Sequence, residues 1–250
     1  MDHIEERARR ASSFGSQAAA YAKYRPDYPR DLLDWALAPV RSVPGLRVLD
    51  VGAGTGKLTG GLLALGVDVV AVEPDPAMLA ELTTRFPDVA TLLGTAEDIP
   101  LPDASVNAVF AGQALHWFDL DRALPEFRRV LRPGGFAVAV WNTYDDTVPW
   151  VAEFCDVTET IRRGVQRMDG EILGPLGPSE RIEFSHRHRQ TADDLLNTVA
   201  TQSQMLVATP EYRADVLARG REVLLSNPAT ANGPFDVPMI TEAIRATPRW

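Results

Sequence analysis

Apolar runs too short to be helices recur along this chain, and between most of them the apolar residues fall at helical spacing. The first five runs are Arg47–Val51, Val67–Glu73, Ala90–Thr95, Val106–Gly112 and Phe136–Asn142. Between the first two, Leu58, Leu62 and Leu65 share one helical face; Met78, Leu79, Leu82 and Phe86 do so after the second. Leu124, Phe127, Val130 and Leu131 repeat the pattern before the fifth, and Pro29 opens an earlier helix carrying Leu32, Leu33, Trp35 and Ala36. Near-unbroken runs of Val, Leu and Ala predict strands covered on both faces, and their alternation with helices predicts a parallel sheet.

After Thr143 that alternation lapses. Trp150 to Met168 reads as a helix, and Gly170, Gly174, Pro175 and Gly177 then break any helical register. A sixth strand is expected at Ile182–Arg189, with His186 and His188 on one face and Arg187 and Arg189 on the other. Thr191 with Asp194 forms a capping-box pattern for a helix through Leu195, Leu196 and Val199. Thr209-Pro210 opens another that runs through Leu217 and Leu225 and stops before Asn227-Pro228. Phe235–Ile244 supplies a seventh strand with imperfect alternation.

Chemistry enters at the end of the first strand, where Asp50-Val51-Gly52-Ala53-Gly54-Thr55-Gly56 joins strand to helix. Such a turn presents backbone N–H groups to a nucleotide-bearing ligand at the open end of a parallel sheet. The dinucleotide pattern would require Gly or Ala at position 57, where Lys57 stands. A carboxylate at Asp50 would repel a pyrophosphate, whereas it accepts a hydrogen bond from a cationic amino group. Glu73, 17 residues beyond Gly56, ends the second strand where a carboxylate can receive two ribose hydroxyls.

The pattern acidic-x-G-x-G-x-G resembles motif I of the class I S-adenosylmethionine (SAM) methyltransferases. Leu131-Arg132-Pro133-Gly134-Gly135 before the fifth strand is a second shared feature, and the resemblance covers roughly residues 14–145. It implies a Rossmann-like α/β fold with a seven-stranded, mostly parallel sheet of order 3-2-1-4-5-7-6, helices on both faces and a helical lid insert. On that basis the chain is one methyltransferase domain over 1–250: an N-terminal lid segment (1–30), a SAM-binding core (31–142), a substrate-lid insert (143–180), and C-terminal strands and helices (181–250).

The resemblance also implies SAM as cofactor, with S-adenosyl-L-homocysteine as product, and cofactor contacts at Asp50, Gly52, Ala53, Gly54, Gly56, Glu73 and Pro74. The backbone N–H of Ala96 would face adenine. Many relatives carry Asp where Thr95 stands, so the acceptor for the adenine amine falls to Glu97 or Asp98. Gln113 would offer its carbonyl to the ammonium group, small residues such as Gly112 letting a ligand reach the backbone. Tyr24 and Arg25, from a leader that also carries Phe14, Tyr21 and Tyr28, would meet the methionine end. His116 is the candidate base, placed to take a proton from a hydroxyl or amine; its alternative is a structural histidine. Trp117, Trp141 and Asn142 are candidate acceptor contacts.

Composition narrows the partners. With 250 residues, 45% hydrophobic and 24% charged, the chain can bury a full core. A net charge of −9 argues against a nucleic-acid partner, because phosphate binders cluster Lys and Arg. Cys155 is the single cysteine, which excludes an internal disulfide and fits a reducing, cytoplasmic setting. The acidic start lacks a signal-peptide core, and no apolar run approaches the ~20 residues that span a bilayer. The H-x-H of His186 and His188 lacks a nearby Cys or carboxylate, so no metal is expected. The resemblance is to enzymes of the kind that methylate trans-aconitate, quinone precursors or secondary metabolites, so the expected partner is a small-molecule acceptor methylated on O, N or C. Three alternatives remain: a SAM-binding protein without transfer activity, a macromolecular methyltransferase, and, disfavoured by Lys57 and Asp50, an NAD-dependent oxidoreductase.

Overall fold

A computed structural model describes residues 17–160 and 172–249 of the protein. Phe14 of the leader, and Met168 and Gly170 of the expected insert, lie outside the described residues. The strands are β1 (Arg47–Val51), β2 (Asp68–Glu73), β3 (Ala90–Leu93), β4 (Val106–Gly112), β5 (Leu131–Tyr144), β6 (Ser179–Gln190) and β7 (Phe235–Ala246). They form one sheet of order β3-β2-β1-β4-β5-β7-β6, as the resemblance implied. β1 pairs in parallel with β2 and β4, β2 with β3, and β4 with β5. The described helices are α1 (Ala18–Tyr24), α2 (Arg30–Leu37), α3 (Lys57–Leu63), α4 (Pro76–Arg85), α5 (Leu120–Val130), α6 (Pro149–Thr158), α7 (Ala192–Ala200), α8 (Ser203–Leu206) and α9 (Pro210–Ser226).

Two compact units share the chain. Of the described residues, one holds 27–141, 172–184 and 241–249; the other holds 17–26, 142–160 and 185–240. In the first, strand residues alternate between two apolar clusters, as period-two geometry demands. Leu49, Val51, Val70, Val72, Val109, Ala137 and Ala139 pack with Leu124 and Phe127 of α5. Val48, Val69, Ala108, Phe110, Phe136 and Val138 pack on the opposite face with Leu32 and Leu33 of α2 and Leu58 and Leu62 of α3. Both faces are covered, which is why these strands read as continuous apolar runs.

The Arg132–Gly135 segment is accommodated by a break in register: Val106 pairs with Leu131, while Ala108, two residues on, pairs with Phe136. The second unit has its own core. Val151 and Phe154 of α6, Leu195 and Val199 of α7, Val216 and Leu224 of α9, and Phe235 and Val237 of β7 meet there. Trp150 and Phe235 stack edge to face, with centroids 5.7 Å apart.

The helix expected over Trp150–Met168 stops at Thr158, because Glu159 turns into the left-handed region at φ 53°. The capping box of Thr191 and Asp194 is present with both bonds, and Thr209 accepts from the Tyr212 N–H to start α9. β6 is an edge strand, its exposed positions filled by charges such as Glu183, Arg187 and Arg189. His186 and His188 fall on its less exposed face, as alternation predicted. Among the described residues no helix is long and apolar enough to cross a membrane.

Candidate functional site

The site is assembled at the carboxyl ends of β1 and β2, where the chain leaves the sheet at two adjacent acids. Asp50 is 1% exposed. Its Oδ2 accepts a 2.6 Å hydrogen bond from the hydroxyl of Thr59, a residue in the first turn of α3. Its Oδ1 is buried with no hydrogen-bond partner among the described residues. Burial pushes the carboxyl up to about 7, opposed by the Thr59 hydroxyl and N–H, with Glu73 adding a smaller upward push.

Glu73 is the hinge pin of the glycine turn. Its Oε2 accepts from the Gly54 N–H at 2.8 Å and its Oε1 from the Asp75 N–H at 2.9 Å. Burial raises its proton affinity, while those two N–H groups pull the other way. Asp75 then caps α4 by accepting from the N–H groups of Ala77 and Met78, with Pro76 in the first helical position.

The three glycines of the turn divide by task. Gly54 has φ +56°, and a Cβ built there meets nothing within 4 Å. Gly56 has φ +82°, and its Cβ would sit 2.9 Å from Leu82 Cγ and 3.0 Å from the Phe86 ring. Gly52 likewise lies against Ala114 and Phe118. Only Gly54 opens onto space; its neighbours are small so that protein can pack on them. Lys57, at the start of α3, pairs with Asp27 at 3.0 Å.

On the β3 side, Ala96 is buried, within a loop closed by a Thr95–Asp98 bridge. Arg129 of α5 grips this loop through the carbonyls of Ile99 and Leu101, and Glu126 accepts from the Ile99 N–H. Glu97 Oε1 accepts from the N–H of Asp119, the residue before α5. At the end of β4, the space beside Gly112 is filled by protein: a Cβ there would lie 2.7 Å from the Tyr28 hydroxyl and 3.0 Å from Leu58. Gln113 adopts φ 55° and donates its N–H to the Val140 carbonyl.

His116 lies in a single 3₁₀ turn (Leu115–Trp117), its ring 4.8 Å from that of Trp117. Trp141, 3% exposed, packs in the apolar cluster with Leu115, and its indole N–H is buried without a partner among the described residues. Asn142 begins the other unit. Tyr24 and Arg25 belong to that unit too, where Tyr24 accepts at its carbonyl from Thr198 and Arg25 bonds Thr201. Among the described residues no cluster of His, Cys, Asp and Glu could hold a metal ion.

The structure thus joins Asp50, Gly52, Ala53, Gly54, Gly56 and Glu73 in one turn, with Pro74 following Glu73 at the strand end. Local pattern does not single out Glu126 and Arg129, which hold the Ile99–Leu101 loop, or Thr59, which bonds Asp50 at the separate glycine turn. Thr59 alone left a trace in the sequence, as a hydroxyl in the first turn after the glycines.

An uncharacterised methyltransferase of Mycobacterium tuberculosis is 43% identical to the chain over 237 residues, 94% of this chain and 95% of that protein. The chain is a class I SAM-dependent methyltransferase. The methyltransferase domain family matches residues 49–139 of this methyltransferase, from within β1 to within β5. An uncharacterised methyltransferase of Schizosaccharomyces pombe is 38% identical over 226 residues, 88% of this chain and 90% of that one. A solved structure of a candidate type II methyltransferase from Anaeromyxobacter dehalogenans superposes with a TM-score of 0.65 at 27% identity, covering 90% of this methyltransferase and 98% of that chain. SAM is accordingly the methyl donor of this methyltransferase.

Proposed function

We propose that this methyltransferase transfers the methyl group of SAM to a small-molecule acceptor, and that the turn between β1 and α3 holds the donor. The reading is carried by one observation: two buried acids on neighbouring strands converge on the turn, one with an oxygen unmatched among the described residues, beside Gly54, the one of the turn's three glycines that faces open space. Asp50 Oδ1 suits a cationic amino group, which satisfies the buried oxygen and holds the carboxyl ionised. Glu73 suits ribose hydroxyls, since each of its oxygens retains a lone pair beyond the backbone bond it already accepts. The Ala96 N–H serves adenine, with Glu97 or Asp98 as acceptor for its amine, and the Gln113 carbonyl faces the ammonium group.

When bound, SAM supplies a methyl group on a sulfonium, transferred by in-line displacement. The protein's part is alignment and exclusion of water, and alignment of two reactants is worth on the order of 7–11 kcal/mol. His116 takes a proton where the acceptor is a hydroxyl or amine, a contribution of about 10²–10⁴-fold. The acidic chain disfavours nucleic acid as acceptor.

Incubating the purified protein with methyl-labelled SAM and a metabolite extract should put label in a low-mass product that mass spectrometry identifies. Label confined to protein or RNA would overturn the small-molecule reading. Glu73→Ala should weaken SAM by about 10- to 100-fold in calorimetry, as expected for loss of charge-assisted hydrogen bonds worth about 1.5–3 kcal/mol. Parental affinity in that variant would remove Glu73 from the ribose role.

A further inference from the structure

Thr59 places a hydroxyl in the core: the residue is 0% exposed, in the first turn of α3. Its Oγ1 donates to Asp50 Oδ2 at 2.6 Å, across nine residues of chain. That length falls among bonds from a hydroxyl to an ionised carboxylate, which run about 2.5–2.7 Å. The β-branch leaves Thr59 few rotamers, so the donor is delivered in one direction. The register mates of Asp50 on the flanking strands, Ala71 and Phe110, are apolar.

The two oxygens of Asp50 are therefore unlike. Oδ2 is taken by Thr59, whereas Oδ1 is buried with no partner among the described residues. The terminal torsion of an aspartate is soft, and a bond at one oxygen is what fixes the direction of the other. Thr59 also governs charge. Burial pushes the carboxyl up to about 7, and the Thr59 hydroxyl is the strongest influence favouring the anion, followed by the Thr59 N–H. Of the other charged and titratable groups on surrounding elements, Glu73 on β2 pushes the Asp50 proton affinity further up. Lys57 on α3 spends its ammonium on Asp27 at 3.0 Å, and the Tyr28 hydroxyl lies against Gly112 at the end of β4.

We propose that Thr59 is a positioning residue for the methyl donor, which holds Asp50 by one oxygen and thereby aims the other at the donor's ammonium group. The proposal rests on the donor site of the preceding section and adds a residue that acts through Asp50 alone. An ammonium group demands the anion, so its arrival sends the Asp50 proton to solvent, and affinity rises with pH through the region near 7.

The test titrates parent and variants at pH 6 and pH 8 with two probes. One is S-adenosyl-L-homocysteine; the other is 5′-methylthioadenosine, which keeps the nucleoside and lacks the ammonium group. The parent should bind S-adenosyl-L-homocysteine about tenfold more weakly at pH 6 than at pH 8, and 5′-methylthioadenosine equally at both. Thr59→Val should weaken S-adenosyl-L-homocysteine about tenfold at pH 8 and move the fall in affinity to higher pH, because the ionised oxygen has lost its donor. The same variant should leave 5′-methylthioadenosine within about twofold of the parent, a split that general loosening of the turn would not produce. Thr59→Ser, which keeps the hydroxyl, should restore most of the affinity and the parental pH profile. Should Thr59→Val fail to fold, Thr59→Cys takes its place, its thiol being a weak donor, with a smaller loss in the same direction.

The proposal is overturned if the variant binds S-adenosyl-L-homocysteine as the parent does, if both probes lose the same factor, or if the pH profile does not move. Parental binding of S-adenosyl-L-homocysteine by Asp50→Asn is a separate result, and it would count against the ammonium role of Asp50 itself. Weak binding by Asp50→Asn beside parental binding by Thr59→Val would remove Thr59 and leave that role standing.

Discussion

Asp50→Asn is expected to yield a protein that is more stable than its parent at pH 8 by about 2 kcal/mol and binds SAM at least about 100-fold more weakly. The stability gain follows from the raised carboxyl of Asp50, which titrates near 7 in the fold and near 3.8 outside it. Below pH 3.8 both states hold the proton and the group makes no difference to folding. As pH rises from there to 7, the unfolded chain releases its proton while the fold keeps it, and folding stability falls. Above pH 7 the full cost of an ionised buried carboxylate is present, up to about 4 kcal/mol for that displacement. An amide escapes this cost but buries an N–H of its own, worth about 1–3 kcal/mol, which leaves the net figure near 2. Urea melts at pH 4 and pH 8 should therefore show the gain only at the higher value. Identical melts at pH 8 would contradict the buried charge. The binding loss arises because an amide cannot form the charge-assisted bond that an ionised Oδ1 offers an ammonium group.

Two alanine substitutions in the same turn should separate binding from folding. Gly54→Ala places a methyl in open space at φ +56°, so the fold bears only the left-handed strain of about 1–2 kcal/mol. That methyl occupies the ligand's approach to the backbone, and SAM affinity should fall at least about 100-fold, the scale of several lost or displaced contacts. Gly56→Ala adds to similar strain a Cβ 2.9 Å from Leu82 Cγ and should destabilise by about 2–5 kcal/mol. Thermal unfolding and calorimetry on both variants read the two effects independently. Normal SAM binding by Gly54→Ala would place the ligand elsewhere.

The parts of this fold legible in the sequence were those whose burial is periodic. β1, β2 and β4 are covered on both faces, so their apolar runs had few competing explanations. β7 was harder to read. Phe235, Val237 and Met239 serve one core, and Ala243, Ile244 and Ala246 serve two others, so the strand changes partners midway and its alternation breaks. The end of α6 had no cue, since Glu159 is not a residue that advertises a left-handed turn.

Among site residues, Asp50, Glu73 and the glycines were readable because spacing along a strand–turn–helix unit fixes their positions. Contacts between distant segments leave no such trace. The small residue at Gly112 marks the approach of the Tyr28 hydroxyl, and Glu97 spends one oxygen on the Asp119 N–H. Neither could be read from local pattern.

Because Glu73 accepts from the N–H groups of both Gly54 and Asp75, the loop that we propose holds the nucleoside has its shape without it. Association then requires little ordering of the receptor, and the affinity that contacts generate is not spent on stiffening the protein. Analogues stripped of sugar hydroxyls would meet the same rigid cradle and lose only their own bonds to it.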